Sequence, residues 1–303
     1  MSVAEAEATE LQIEKPSGLW REAWYRLRHN PVAIIGFGLV SVFVLMALFA
    51  PWIAPYGPQQ AFGLSNCSPG HCAGPSADHW LGLDLLARDE LSRIVWGARY
   101  SLLIGFVAAV SGLVVGMLFG AIAGYAGGLI DTAIMRCMDV MLAIPGLLLA
   151  IGIVAMLGQG LWQIMVAVGI TNVPIFARLL RGSVLAQREQ DFVLAARAIG
   201  VRRRGILFSH IMPNAISPVI VQGTLAMATA IIDVAALGFL GLGPQDPSTP
   251  EWGTMLVQAN QFLESAPVLA ISPGVAIVLA VLGFNLIGDA LREALDPKLR
   301  GRV

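Results

Sequence analysis

The residues that could hold a metal ion or act as a nucleophile are few and scattered. The four histidines, His29, His71, His79 and His210, form no pair at helical ligand spacing. Cys67 and Cys72 have four residues between them, His71 among these, in a polar loop. That spacing is no zinc pattern, and a metal site needs more ligands; the pair reads as a disulfide or as two thiols. Cys137 lies in an apolar stretch and reads as a small core residue. No GxxxxGK[ST] loop occurs, so no P-loop for ATP is present, and no GxSxG elbow occurs either. What remains is arginine. Arg178, Arg181, Arg188, Arg197, Arg202, Arg203 and Arg204 fall within residues 178–214. Such a collar meets anions, either an acidic protein surface or lipid phosphates. One further group stands out: Asp233, an ionisable residue inside an apolar run, where a charge is costly and is usually functional or paired.

The elements that position these groups are set by the bilayer. Of the 303 residues, 56% are apolar and only 13% charged. A soluble domain carries about 25% charged residues, so most of this surface does not face water. A net charge of −1 offers no basic field for nucleic acid. Stretches at about 32–50, 100–125, 134–157, 161–178, 215–240 and 268–290 approach the roughly 20 apolar residues that span a membrane as helix. The fold class is therefore all-α: a polytopic membrane protein of about six transmembrane helices. The acidic, polar start has no apolar core before a cleavage site, so it reads as a disordered tail over 1–15 and not as a signal peptide.

Lysines and arginines set the orientation. The segment before span one, the second-to-third link, the 178–214 loop and the C-terminal tail hold sixteen of them, against Arg88, Arg93 and Arg99 in the remaining loops. The positive-inside rule then puts both termini and the 178–214 loop in the cytoplasm. The chain divides into a tail with a short interfacial helix (1–30), a first span with an external loop (31–99), a five-helix core (100–290) and a C-terminal tail (291–303). Residues 84–99 read as an amphipathic external helix, with Arg88, Asp89 and Arg93 on its polar side. Glycines at 112, 116, 120, 124 and 128 fit close helix packing or a hinge. Arg136 and Asp139 read as an interfacial pair, and Asn172 with Pro174 as a local distortion that could border a path.

The 178–214 loop is too long for a connector. Residues 189–199, EQDFVLAARAI, read as a helix, with Phe192, Val193, Ala196 and Ile199 near one face. Gly200 is its left-handed stop, and Arg202–Arg204 follow. This is either a docking element or a lipid collar.

The order of residues resembles a known pattern. Leu194-Ala195-Ala196-Arg197-Ala198-Ile199-Gly200, then nine residues, then His210-Ile211-Met212-Pro213, is similar to the EAA loop of ABC importer permeases. Ala195, Ala196, Gly200 and Pro213 match; Leu194 stands for the Glu, His210 for an Ile and Met212 for a Leu. The His-Ile-x-Pro-Asn ending resembles the peptide-importer branch. HWLGLDLLARDELSRIVWGARYSLLIG resembles that branch's H-x-L-G-T-D-x-x-G-R-D segment, with Leu83 and Ala87 replacing Thr and Gly. AALGFLGLGPQDPSTPEWGTML and PGVAIVLAVLGFNLIGDALREALDPKL continue the likeness, which covers about residues 20–299.

The resemblance implies a type I ABC importer permease, of the C-type peptide-permease kind, in a bacterial inner membrane. It implies a non-catalytic subunit that binds no cofactor, paired with a homologous permease. Two cytoplasmic ATPases would carry ATP and Mg²⁺, and an extracytoplasmic binding protein would deliver solute to external loops including 246–254. The coupling residues would be Asp191, Ala195, Ala196, Gly200, Arg202, Arg203, Arg204, His210 and Pro213; Asp233 and Asn172 would border the path. Nickel and glutathione systems share these motifs, so the solute stays open between them and peptides. A secondary transporter working alone is the distant alternative, and no internal repeat supports it.

Overall fold

The computed structural model describes residues 19–63, 67–68, 71–72 and 74–295. The expected N-terminal tail and the last residues of the C-terminal tail lie outside the described residues. A short helix, α1 (Leu19–His29), leads into α2 (Pro31–Ile53). Asn30 separates them and caps α2, its Oδ1 accepting from the Val32 and Ala33 amides at 2.8 and 3.4 Å. Near its far end Phe49 leaves helical geometry, two residues before Pro51, whose ring disfavours a regular helix there.

The external loop differs from the amphipathic helix expected over 84–99. Residues 84–89 are not helical. The Asp84 carboxylate accepts from the amides of Leu86 and Arg88 at 2.9 and 2.8 Å and folds the segment back on itself. Short polar side chains that satisfy nearby backbone compete with helix in this way. Ala87, at φ 56°, occupies the left-handed region that glycine tolerates best. The helix starts only at α3 (Glu90–Ala126), where Asp89 caps the Ser92 amide at 2.7 Å, and it runs unbroken for 37 residues.

The expected span at 134–157 is two helices, α4 (Gly128–Ala143) and α5 (Gly146–Leu157), bent by 94° at Ile144-Pro145. Proline removes an amide and pushes its predecessor out of the helical region, which is where Ile144 lies (φ −95°, ψ 130°). The expected short span at 161–178 is instead α6 (Leu161–Arg188), 28 residues that continue through Pro174. Then come α7 (Asp191–Ala198), α8 (Ser217–Leu237), α9 (Trp252–Ala259) and α10 (Val268–Leu295). Among the described residues, five helices are long and apolar enough to span a membrane, and six spans result if the bent pair counts as one. The sole described sheet is a ladder of β1 (Cys67–Ser68) and β2 (His71–Cys72), with Cys67 opposite Cys72; the side chains of both cysteines lie outside the described residues.

The core is the seam of α3 and α6. Added β-carbons on Gly112, Gly116, Gly120 and Gly124 would stand 2.5–2.9 Å from α6 atoms at Asn172, Val173, Phe176, Ala177 and Val184. The glycine row therefore lies in the closest helix contact, as small residues in membrane seams do. A second crossing sets Gly36 of α2 against Gly283 and Leu286 of α10. Most of α2 and α4 is left bare. Cys137 is exposed, not in the core, because α4 turns that side away from α6.

Candidate functional site

At the arginine-rich end, α6 runs on past the apolar zone to Arg188, so the loop beyond it is shorter than expected and largely helical. α7 projects from this end. Its stop is a Schellman motif: Gly200 at φ 81°, the Gly200 amide donating to Arg197 O at 3.0 Å and the Val201 amide to Ala196 O at 3.1 Å. Val193 and Ala196 turn inward and pack with Val184, Ile206 and Ile211 in one cluster. Phe192 and Ile199, expected beside them, are exposed, as are Leu194, Ala195 and Ala198. The short helix thus has one anchored face and one bare apolar face. Ala195 lies on the bare side and Ala196 on the anchored side.

The return path is helical but irregular. Arg202 caps a single turn at Arg203–Gly205; a π-helix, Ile206–Ile211, and a turn at Met212–Ala215 then lead into α8. The π winding puts both Ile206 and Ile211 against the core. His210 lies in it, its carbonyl accepting from Asn214 Nδ2 at 2.8 Å, and Pro213 is exposed. The hydroxyl of Tyr125, at the end of α3, donates to Arg203 O at 2.8 Å and ties the ramp to the helix bundle. Arg202, Arg203 and Arg204 are all exposed.

Ion pairs brace the same end. Arg181 grips Asp131 with two bonds of 2.5 and 2.7 Å, joining α6 to α4. Asp139 pairs with Arg178 of α6 at 2.7 Å and not with Arg136, which is exposed. The expected pair on α4 does not form: an i, i+3 spacing does not oblige two side chains to meet, and α6 brings the guanidinium of Arg178 to Asp139 instead. An open groove of about 690 Å³ between α6 and α8 is lined by Arg178, Ser183, Pro218 and Gln222 among others.

Of the two candidate path residues, Asn172 is buried against Gly112 and donates to Val168 O at 2.9 Å. Asp233, on α8, is half-exposed and makes no hydrogen bond or ion pair among the described residues.

The opposite end carries a polar cluster whose details the sequence left hidden. Asp84 takes Arg88 Nε at 2.8 Å and pairs also with Arg93; both arginines are buried. Arg88 donates to Pro247 O at 2.6 Å and Arg93 to Gln258 Oε1 at 3.2 Å, which clamps the first external loop to the second. Glu251, fully buried, caps α9 through the Gly253 and Thr254 amides at 2.7 and 2.8 Å. Burial pushes its carboxyl up to about 7. Trp252 is buried on α3, its indole donating to Ile94 O at 3.2 Å over Gly97. The loop 246–254 is thus a packed element, with Asp246 and Ser248 at its surface. The DPSTPEW run was the available signal: a proline-rich stretch with an acidic cap before an apolar helix.

Known proteins share this architecture. The family model described as "Binding-protein-dependent transport system inner membrane component" matches residues 116–301. The chain belongs to that family. The N-terminal transmembrane domain of oligopeptide transport permease C matches residues 18–69. A dipeptide transport system permease protein of Alkalihalophilus pseudofirmus is 50% identical over 93% of this chain and 90% of its own. A di/tripeptide transport system permease protein of Pseudomonas aeruginosa is 45% identical over 97% of each. A glutathione transport system permease protein of Salmonella paratyphi A is 47% identical over 96% of this chain and 93% of its own. The inward-facing MetNI methionine ABC transporter superposes with a TM-score of 0.56 at 20% identity, covering 67% of this chain and 96% of the other. That likeness shows the fold alone, the type I fold of ABC importer permeases.

Proposed function

We propose that this chain is the permease subunit of an ATP-driven importer that carries di- and oligopeptides into the cytoplasm. The observation that carries the reading is α7. It is clamped to the core by Val193 and Ala196, stopped rigidly at Gly200, and left bare on Leu194, Ala195 and Ala198. A helix held at both ends by α6 and α8 passes a push from a docked partner to both spans as a rigid-body displacement. We assign the bare face to an ATPase subunit and the arginine-rich end to the cytoplasm of a bacterial inner membrane. ATP and Mg²⁺ belong to two such ATPases, a homologous permease completes the path, and a binding protein meets the loops at the other end.

The groove between α6 and α8 supports a path along that face. Asp233 lies 11 residues beyond Gln222, about three helical turns, so both side chains fall on one side of α8. The Arg178–Asp139 pair and Gln222 give that side the polarity a peptide backbone and its charged ends require. Asn172 is assigned to helix packing. Peptide as the solute rests on the relatives named for dipeptides and di/tripeptides; glutathione, itself a tripeptide, is the second reading, supported by the 47% relative.

The test is uptake by the complete complex in proteoliposomes. Labelled dipeptide should accumulate only with ATP and the binding protein, and a dipeptide panel should compete better than glutathione or Ni²⁺. Accumulation without any ATPase subunit would overturn the importer reading, and competition by glutathione alone would replace the solute.

A further inference from the structure

An open pocket of about 390 Å³ sits where α3, α6 and α7 meet at the arginine-rich end, within the roughly 300–1,000 Å³ range of small-molecule sites. Its polar lining is Tyr125, Arg188, Arg197 and Arg203, and Val201 and Ile206 form part of its apolar wall. No carboxylate lines it. Arg197 and Arg203 have no ion-pair partner among the described residues, and the carboxylate that Arg188 meets there is that of the exposed Glu189, at 4.0 Å. The nearby carboxylate of Asp131 is already taken by Arg181.

The pocket is built and not incidental. The Tyr125 hydroxyl holds the Arg203 carbonyl, Arg188 Nη1 donates to Tyr125 O at 3.5 Å, and the Gly200 stop fixes Arg197 relative to Val201. Three cations converge from three separate elements at the end of two membrane helices. Just beyond Gly127, against which Arg188 rests, Leu129 is 89% exposed and Ile130 is 53% exposed. A cationic pocket beside bare apolar side chains matches a ligand with an anionic head and hydrocarbon tails.

We propose that this pocket binds the phosphodiester head of an anionic phospholipid from the leaflet at the arginine-rich end. It rests on the membrane orientation given above but not on the solute or on ATP coupling. Guanidinium groups suit it because their forked donors match phosphate oxygens. A lipid seated there would brace α7 against α3 and α6.

The test is native mass spectrometry of the intact complex with phosphatidylglycerol, phosphatidylcholine or inorganic phosphate. Phosphatidylglycerol should form retained adducts, and phosphatidylcholine should not. The double variant Arg197→Gln with Arg203→Gln should weaken phosphatidylglycerol binding by about thirtyfold. The Lys/Lys double variant should keep most of the binding, and Arg136→Gln, away from the pocket, should keep all of it. Equal phosphatidylglycerol binding by the Gln variant would overturn the proposal. So would retention of inorganic phosphate without lipid, or loss of the ATPase subunits in the Gln variant with lipid adducts unchanged, which would make these arginines a protein-docking surface. Uptake assays on the same preparations read the transport function separately.

Discussion

Replacing Gly116 by alanine should loosen the α3–α6 seam measurably. The new β-carbon would stand 2.6 Å from both Phe176 Cβ and Val173 O. Ordinary contact begins near 3.4 Å, so the helices must separate by roughly 1 Å. Neither neighbour can yield by changing rotamer, since one is a backbone oxygen and the other a β-carbon. Overpacking of this kind costs about 1–3 kcal/mol, and the better helix propensity of alanine returns up to about 1 kcal/mol. The expected net loss is on the order of 1–2 kcal/mol, near tenfold in the folded-to-unfolded ratio. Gly288→Ala meets only the movable ends of Leu225 and Thr224, and Gly152→Ala meets nothing within 4 Å. Unfolding of the purified chain in mixed micelles should therefore rank Gly116→Ala as most destabilised, Gly288→Ala between, and Gly152→Ala near neutral. Equal stability of the Gly116 and Gly152 variants would refute the reasoning.

Three further outcomes are expected. Glu251 has a folded-state carboxyl raised to about 7 from 4.5, so the folded chain holds the proton more tightly. Its contribution then falls as pH rises from about 4.5 to 7, by about 3 kcal/mol in all, and is flat above; hydrogen exchange of α9 should slow on acidification, and Glu251→Gln should remove that dependence. Asp233→Asn should lower ATP-driven uptake several-fold without reducing the amount of folded chain, and unchanged uptake would take Asp233 off the path. For Cys67 and Cys72, the opposed backbone positions suit the 4.4–6.8 Å Cα separation of a disulfide. A membrane-impermeant thiol reagent should label them only after reduction, and labelling of both beforehand would rule the bond out.

The long helices and the stop at Gly200 were legible because hydrophobic length and glycine at a helix end are local signals. The break at Pro145 was less so: proline marks a boundary, but α6 passes through Pro174 unbroken, and which proline bends depends on neighbours. The external segment was misread because its apolar spacing suits a helix, while the Asp84 carboxylate, satisfying the amides of Leu86 and Arg88, decides against one. The partner of Asp139 lies on another helix, beyond any spacing rule. The two faces of α7 were blurred for a similar reason. Phe192 and Ile199 are as apolar as Val193, and only the position of Ile206 and Ile211 determines which side is buried.

The central claim is that motion enters through the bare face of α7. Leu194→Arg and Ala195→Arg place bulk and charge on that face without touching Val193 or Ala196. ATP-dependent peptide uptake by the reconstituted complex should fall at least tenfold in both, with normal insertion of the chain and undiminished solute capture by the binding protein. Wild-type uptake in the two variants would contradict the account.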